Sequence, residues 1–113
     1  MTVGEAWITI APAADIPDGH AARVEIDDLP IGIFNVGGEY FCVDDTCTHA
    51  EAALSDGDLD LKRCVIECPL HGSAFDLRSG NALTLPATEP VRVHQIEVVD
   101  GQLRVRLNQA PRE

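Results

Sequence analysis

The sequence predicts an all-β domain, and three observations carry that expectation. The dipeptides Gly37-Gly38 and Asp100-Gly101 each lie between runs of strand-forming residues, which is the signature of a tight hairpin. Residues 102–107 alternate, with Leu103, Val105 and Leu107 on one face and Gln102, Arg104 and Arg106 on the other. Helical character is confined to His49–Leu54, which is too short for more than a turn or two.

The elements follow in order. Trp7–Ile10 reads as a strand, 11–19 as a loop with two prolines, and Ala22–Ile26 as a second strand. Ile31–Val36 and Glu39–Val43 form the arms of the first hairpin. Cys64–Ile66 reads as a short strand leading into a loop, and Val91–Val99 with Gln102–Leu107 forms the second hairpin. Along Val91–Val99 the apolar phase slips between Val93 and Ile96, so a bulge or bend is expected near His94-Gln95. These strands suit a small antiparallel β-sandwich or barrel-like domain over residues 1–107. A polar tail follows at 108–113 and is expected to be dispensable.

The chain has 113 residues, 12.2 kDa and 45% hydrophobic residues, enough for one core and too little for a second domain. Met1–Trp7 lacks a basic start followed by an apolar run, and no stretch approaches membrane-spanning length. The expectation is a soluble, cytoplasmic protein.

Chemistry concentrates in two short motifs, Cys47-Thr48-His49 and Cys68-Pro69-Leu70-His71. Two thiolates and two imidazoles in mixed pairs are the ligand set of a Rieske-type [2Fe-2S] cluster. Thiolate is a soft anionic donor and imidazole a neutral one, so mixed ligation sets the redox potential. With two ferric ions, two sulfides and two thiolates, neutral imidazoles bring the formal charge to about zero, whereas two further thiolates would make it negative and harder to reduce. Tetrahedral zinc also accepts two Cys and two His. Its common pattern pairs Cys with Cys and later His with His, and the mixed order here favours the two-iron site.

The flanks carry a resemblance. Asp44-Asp45-Thr46-Cys47-Thr48-His49, the run Cys68 to Asp76, Leu85-Pro86-Ala87 and Pro90-Val91 together resemble a soluble Rieske ferredoxin of a bacterial ring-hydroxylating dioxygenase system, over about 41–107. The resemblance implies a Rieske fold of three antiparallel sheets with a two-loop cluster-binding tip, the loops falling at about 44–54 and 67–77. It implies that Cys47 and Cys68 bind one iron while His49 and His71 bind the other. Gly72, Ser73 and Phe75 are the residues expected to surround these ligands.

Departures from the family pattern are informative. High-potential relatives join the two loops by a disulfide, and its positions here are Ala52 and Leu70. Those relatives also place a Tyr at Phe75, whose hydroxyl bonds a ligand thiolate; Phe75 has no donor. Ser73 keeps the position that donates to a bridging sulfide. The eighteen residues between His49 and Cys68 are long for the family, and the extra length is expected in the loop Ser55–Arg63. Cys42 and Cys64 are read as small buried hydrophobes with free thiols, and His20 and His94 as ordinary side chains.

The formal charge of −11 argues against nucleic acid or anionic membranes as partners. It is uneven: residues 1–43 carry −6, residues 44–76 carry −6 and residues 77–113 carry +1. Acidic side chains such as Asp44, Asp45, Glu51 and Asp76 are candidates for steering toward basic partner surfaces, against the alternative that the charge serves solubility alone.

The resemblance implies a monomeric one-electron carrier and not an enzyme. Its electrons would come from an NAD(P)H-dependent flavin ferredoxin reductase and pass to a terminal Rieske non-haem iron oxygenase acting on aromatic rings. The alternative is a Rieske-like small subunit of an assimilatory nitrite reductase. A terminal-oxygenase fragment is disfavoured, since only His20 and His94 remain for a mononuclear iron. Because the interloop disulfide and the Tyr hydroxyl are both missing, protein-film voltammetry at neutral pH should place the potential in the lower part of the Rieske range, about −150 to +300 mV. A strongly positive value contradicts this.

Overall fold

The computed structural model describes residues 7–47, 52–70, 72–85 and 89–108. Nine strands form in chain order: β1 (Ile8–Pro12), β2 (Ala21–Ile26), β3 (Leu29–Val36), β4 (Glu39–Asp44), β5 (Asp58–Asp60), β6 (Val65–Glu67), β7 (Ala74–Asp76), β8 (Val93–Val99) and β9 (Gln102–Arg106). Among the described residues helix is limited to single 3-10 turns at Ala13–Asp15 and Leu54–Asp56, so the all-β expectation holds. Of the turn expected over His49–Leu54, residues 49–51 lie outside the described residues, Ala53 is extended and Leu54 begins the turn Leu54–Asp56.

Both expected hairpins form, β3–β4 about Gly37-Gly38 and β8–β9 about Asp100-Gly101. In each, both turn residues have positive φ, the primed geometry whose twist matches that of the flanking strands. A third such turn lies between β2 and β3 at Asp27-Asp28, with φ of 53° and 66°, built without glycine. Aspartate tolerates this left-handed conformation better than most residues.

The strands make two antiparallel sheets where three were expected. One runs β1-β9-β8-β4-β3-β2 and the other β5-β6-β7. The difference is a single short ladder: β4 and β8 pair only through Cys42↔His94 and Val43↔Val93, which joins two hairpin-based halves into one six-stranded sheet. From Gln95 onward β8 pairs with β9 instead. The phase slip at His94-Gln95 therefore falls where one strand changes partners.

The core has two centres. Ile31, Ile33, Cys42, Leu103, Val105 and their neighbours fill one, and Phe34, Val43, Leu54, Ile66, Phe75, Leu77 and their neighbours fill the other. The apolar face of β9 is buried as its alternation predicts. Its other face stacks Arg104 and Arg106 on the Trp7 ring, at 5.4 and 4.9 Å from the ring centre, so much of the basic C-terminal charge is held against an aromatic. Cys42 and Cys64 are free and buried, one in each centre, and no bridge joins them. Burial pushes both thiols up, which keeps them protonated and inert. Cys64 is a turn residue with φ of 58° rather than the start of a strand; β6 begins at Val65.

His20 and His94, equivalent in the sequence reading, separate here. His20 is exposed, whereas His94 is 3% exposed. The Asn108 backbone N–H donates to His94 Nδ1 at 2.9 Å, so the ring carries its proton on Nε2 and donates to Asp44 Oδ1 at 2.7 Å. Arg92 Nε donates to the other Asp44 oxygen at 3.2 Å. Asn108, the first residue of the expected tail, is thus tied to β8, and its side chain also donates to the Val93 carbonyl. Residues 109–113 lie outside the described residues. His94→Leu should cost about 2 kcal/mol, because it strips a buried carboxylate of a donor, whereas His20→Leu should change stability by less than about 0.5 kcal/mol. Urea denaturation of the two variants checks the contrast.

Candidate metal centre

Two loops project from the second core centre, and each begins at a cysteine. β4 carries the chain through Asp44 and Asp45 to Cys47; β6 carries it through Glu67 to Cys68. Cys47 is 3% and Cys68 2% exposed, and both belong to the cluster of Leu54, Ile66 and Phe75. Neither forms a disulfide.

Each cysteine closes its own loop through its backbone. Cys47 N–H donates to the Ala52 carbonyl at 3.0 Å, beside the bridge Thr46↔Ala53, so the first loop leaves and returns as a two-stranded neck. Cys68 N–H donates to the Ser73 carbonyl at 2.7 Å, and its own carbonyl accepts from Gly72 N–H at 3.1 Å. The backbone at each cysteine is thus held by hydrogen bonds of its own chain segment. His49 and His71 lie outside the described residues, as does Glu51. Among the described residues no group of three His, Cys, Asp or Glu side chains converges as a metal site. Two buried cysteines that form no disulfide and belong to one apolar cluster fit the anionic half of a mixed Cys/His ligand set.

Of the residues expected around the ligands, Ser73 and Phe75 are fully buried and Gly72 is exposed with φ of 75°. The second loop is more structured than expected, because Ala74–Asp76 within it forms β7. Thr84 reinforces it: its hydroxyl accepts from Ala74 N–H at 2.9 Å and reaches the Gly72 carbonyl at 3.4 Å. The segment Ser55–Arg63 is likewise ordered. It supplies the end of a 3-10 turn, then β5 paired with β6, then a turn in which Asp60 Oδ1 accepts from the Lys62 and Arg63 backbones. The Arg63 side chain leads the causes holding the Asp60 carboxyl below its usual range.

The proposed steering charges are mostly not on the surface. Asp44 is 4% and Asp45 0% exposed, and the half-buried Asp76 uses Oδ1 to accept from the Arg78 and Ser79 backbones. Asp44 is committed to His94 and Arg92. Asp45 accepts from the Ser55 backbone and hydroxyl, both at 2.7 Å, with Arg23 Nε at 3.9 Å. Burial pushes the Asp45 carboxyl up, while the Ser55 hydrogen bonds and the Arg23 charge act in the opposite direction. Their structural role was hidden because charged residues are ordinarily solvated. The available signal was position, two carboxylates directly following the buried run Phe41–Val43.

Comparison with known proteins agrees with this arrangement. Residues 6–97 match the model of the Rieske [2Fe-2S] domain. The chain is 40% identical over 103 residues to the ferredoxin subunit of 3-phenylpropionate/cinnamic acid dioxygenase from Escherichia coli strain K12, covering 91% of this chain and 95% of that one. Among solved structures, the ferredoxin of carbazole 1,9a-dioxygenase from Nocardioides aromaticivorans IC177 superposes with a TM-score of 0.85 at 28% identity, covering 89% and 97%. A chain from a complex of reduced oxygenase and oxidized ferredoxin in carbazole 1,9a-dioxygenase gives 0.81 at 38% identity, covering 88% and 91%. A protein assigned as an NADH-dependent nitrite reductase small subunit from Mycobacterium tuberculosis shares the fold, with a TM-score of 0.81 at 22% identity and coverage of 97% and 100%. With the family match extending from before β1 into β8 and across both cysteine loops, this chain belongs to the Rieske [2Fe-2S] domain family.

Proposed function

We propose that this chain is the ferredoxin component of a ring-hydroxylating dioxygenase system, with a [2Fe-2S] cluster held by Cys47, His49, Cys68 and His71. The observation that carries the reading is the 40% identity to a dioxygenase ferredoxin subunit over 91% of the chain, a likeness of the whole domain and not of the ligand motifs alone. When bound, the cluster accepts and gives up one electron at a time. Cys47 and Cys68 supply the two buried anionic donors, and His49 and His71 the two neutral ones. The electrons come from an NAD(P)H-dependent flavin ferredoxin reductase and go to a terminal oxygenase that attacks aromatic rings. No described helix is long and apolar enough to cross a membrane, and a cytoplasmic monomer fits that role.

A carrier must meet two partners and leave both quickly, which favours a small interface with charge-assisted approach. With Asp44 and Asp45 buried, exposed acids such as Asp56, Asp58 and Glu67 are the ones near the second sheet available for such steering. The nitrite reductase alternative rests on shared fold at low identity. A large subunit co-purifying in equal amount would favour it.

The anaerobically purified protein should contain about two irons and two acid-labile sulfides and show an EPR signal only after reduction. It should support NADH-driven turnover of a dioxygenase oxygenase when mixed with a ferredoxin reductase. Cys47→Ser and Cys68→Ser should each abolish the cluster and that turnover. A colourless protein holding one zinc would overturn the reading.

A further inference from the structure

Asp45 lies two residues before Cys47, and three separate contacts make it the root of the first loop. Its Oδ1 accepts from Ser55 N–H and its Oδ2 from the Ser55 hydroxyl, each at 2.7 Å. Its carbonyl accepts from Leu54 N–H at 2.7 Å, and its own N–H donates to the Pro30 carbonyl at 3.1 Å. The outgoing and returning halves of the loop are therefore joined by one side chain with 0% exposure. Hydrogen bonds to a charged acceptor in such surroundings are about twice as strong as neutral ones.

One glycine leaves space for this carboxylate, and a second lets the turn that holds its partner lie against the segment before Cys68. Gly32 lies in the middle of β3, where glycine weakens a strand. A Cβ there would meet Asp45 Oδ1 at 2.6 Å and the Phe34 ring at 2.9 Å. Its missing side chain is the space that the carboxylate occupies. Gly57 closes the turn that carries Ser55, and a Cβ on it would lie 1.9 Å from the Glu67 carbonyl oxygen. Glu67 is the residue before Cys68. Two close contacts, Asp45 with Ser55 and Gly57 with Glu67, therefore link the chain just before Cys47 to the chain just before Cys68 through the short turn 55–57.

We propose that Asp45 is a positioning residue that, through Ser55, sets the first cysteine loop in register with the second, that Gly32 is a glycine because the Asp45 carboxylate fills its side-chain space, and that Gly57 is a glycine because the Glu67 backbone lies against the turn carrying Ser55. The inference rests on the assignment of Cys47 and Cys68 as cluster ligands. It separates two kinds of buried polar residue. Asn35 is also buried, donating to the Ile16 carbonyl at 2.9 Å and accepting from Gly38 N–H at 2.8 Å, but its bonds tie the β3–β4 turn to a segment apart from the two cysteine loops. Loss of either residue lowers stability, and only loss of the clasp disturbs the cluster.

The test measures the rate of iron release to a chelator and the EPR linewidth of the reduced protein in Ser55→Ala, Ser55→Thr, Gly32→Ala and Asn35→Ala. Ser55→Ala should release iron about tenfold faster, the factor expected from losing one hydrogen bond to a buried carboxylate, with a broadened EPR line. Ser55→Thr keeps the hydroxyl and should restore the wild-type rate and linewidth. Gly32→Ala should reproduce Ser55→Ala, and combining the two should add little, because both act on the same carboxylate. Asn35→Ala should lower the unfolding midpoint while leaving release rate and linewidth unchanged. Wild-type release in Ser55→Ala, or equal acceleration in Asn35→Ala, overturns the positioning role. A wild-type protein lacking a [2Fe-2S] spectrum overturns instead the ligand assignment beneath it.

Discussion

Two cysteines at the bases of separate loops must be buried against one apolar centre, and that constraint organises the molecule. Cys47 and Cys68 come from different sheets, one following β4 of the large sheet and the other β6 of the small one. They share one buried cluster with Phe34, Val43, Leu54, Ile66 and Phe75, side chains drawn from both sheets. At roughly 25 cal/mol per Å² of buried apolar surface, side chains of this size dominate the local energetics. The cofactor therefore depends on the core, and the loop hydrogen bonds refine what packing has already brought near.

The half of the fold made of glycine-bearing hairpins was legible because turn chemistry is local: Gly37-Gly38 and Asp100-Gly101 announce themselves within a few residues. The small sheet was legible only at β6, since β5 and β7 have three residues each and no periodic pattern can develop over that length. The Asp27-Asp28 turn was silent because aspartate is as common on any exposed loop. The slipped phase at His94-Gln95 was visible, while the change of strand partner that lies there was not.

At the site, the cysteine and histidine spacings gave the family, because few cofactors use mixed pairs in that order. The supporting polar residues were misread for one physical reason. A carboxylate is buried only when partners distant in sequence satisfy it, and Asp44 is satisfied by a histidine fifty positions away. Asp45 depends on a serine ten positions away. Neither partner is identifiable from spacing, so both aspartates read as surface charge. Their burial takes two carboxylates off the surface just before Cys47 and makes them framework.

The consequence for function is a division of labour within a single small domain. The large sheet carries the His94–Asp44–Arg92 network and leads through β4 to Cys47, while the small sheet leads through β6 to Cys68. What tests this account most directly is pulsed EPR of the reduced protein grown with nitrogen-15 histidine. Strong coupling to two histidine nitrogens, unchanged when His20 and His94 are each replaced, is the result the four-ligand assignment predicts. A reduced cluster with no histidine nitrogen coupling would contradict it.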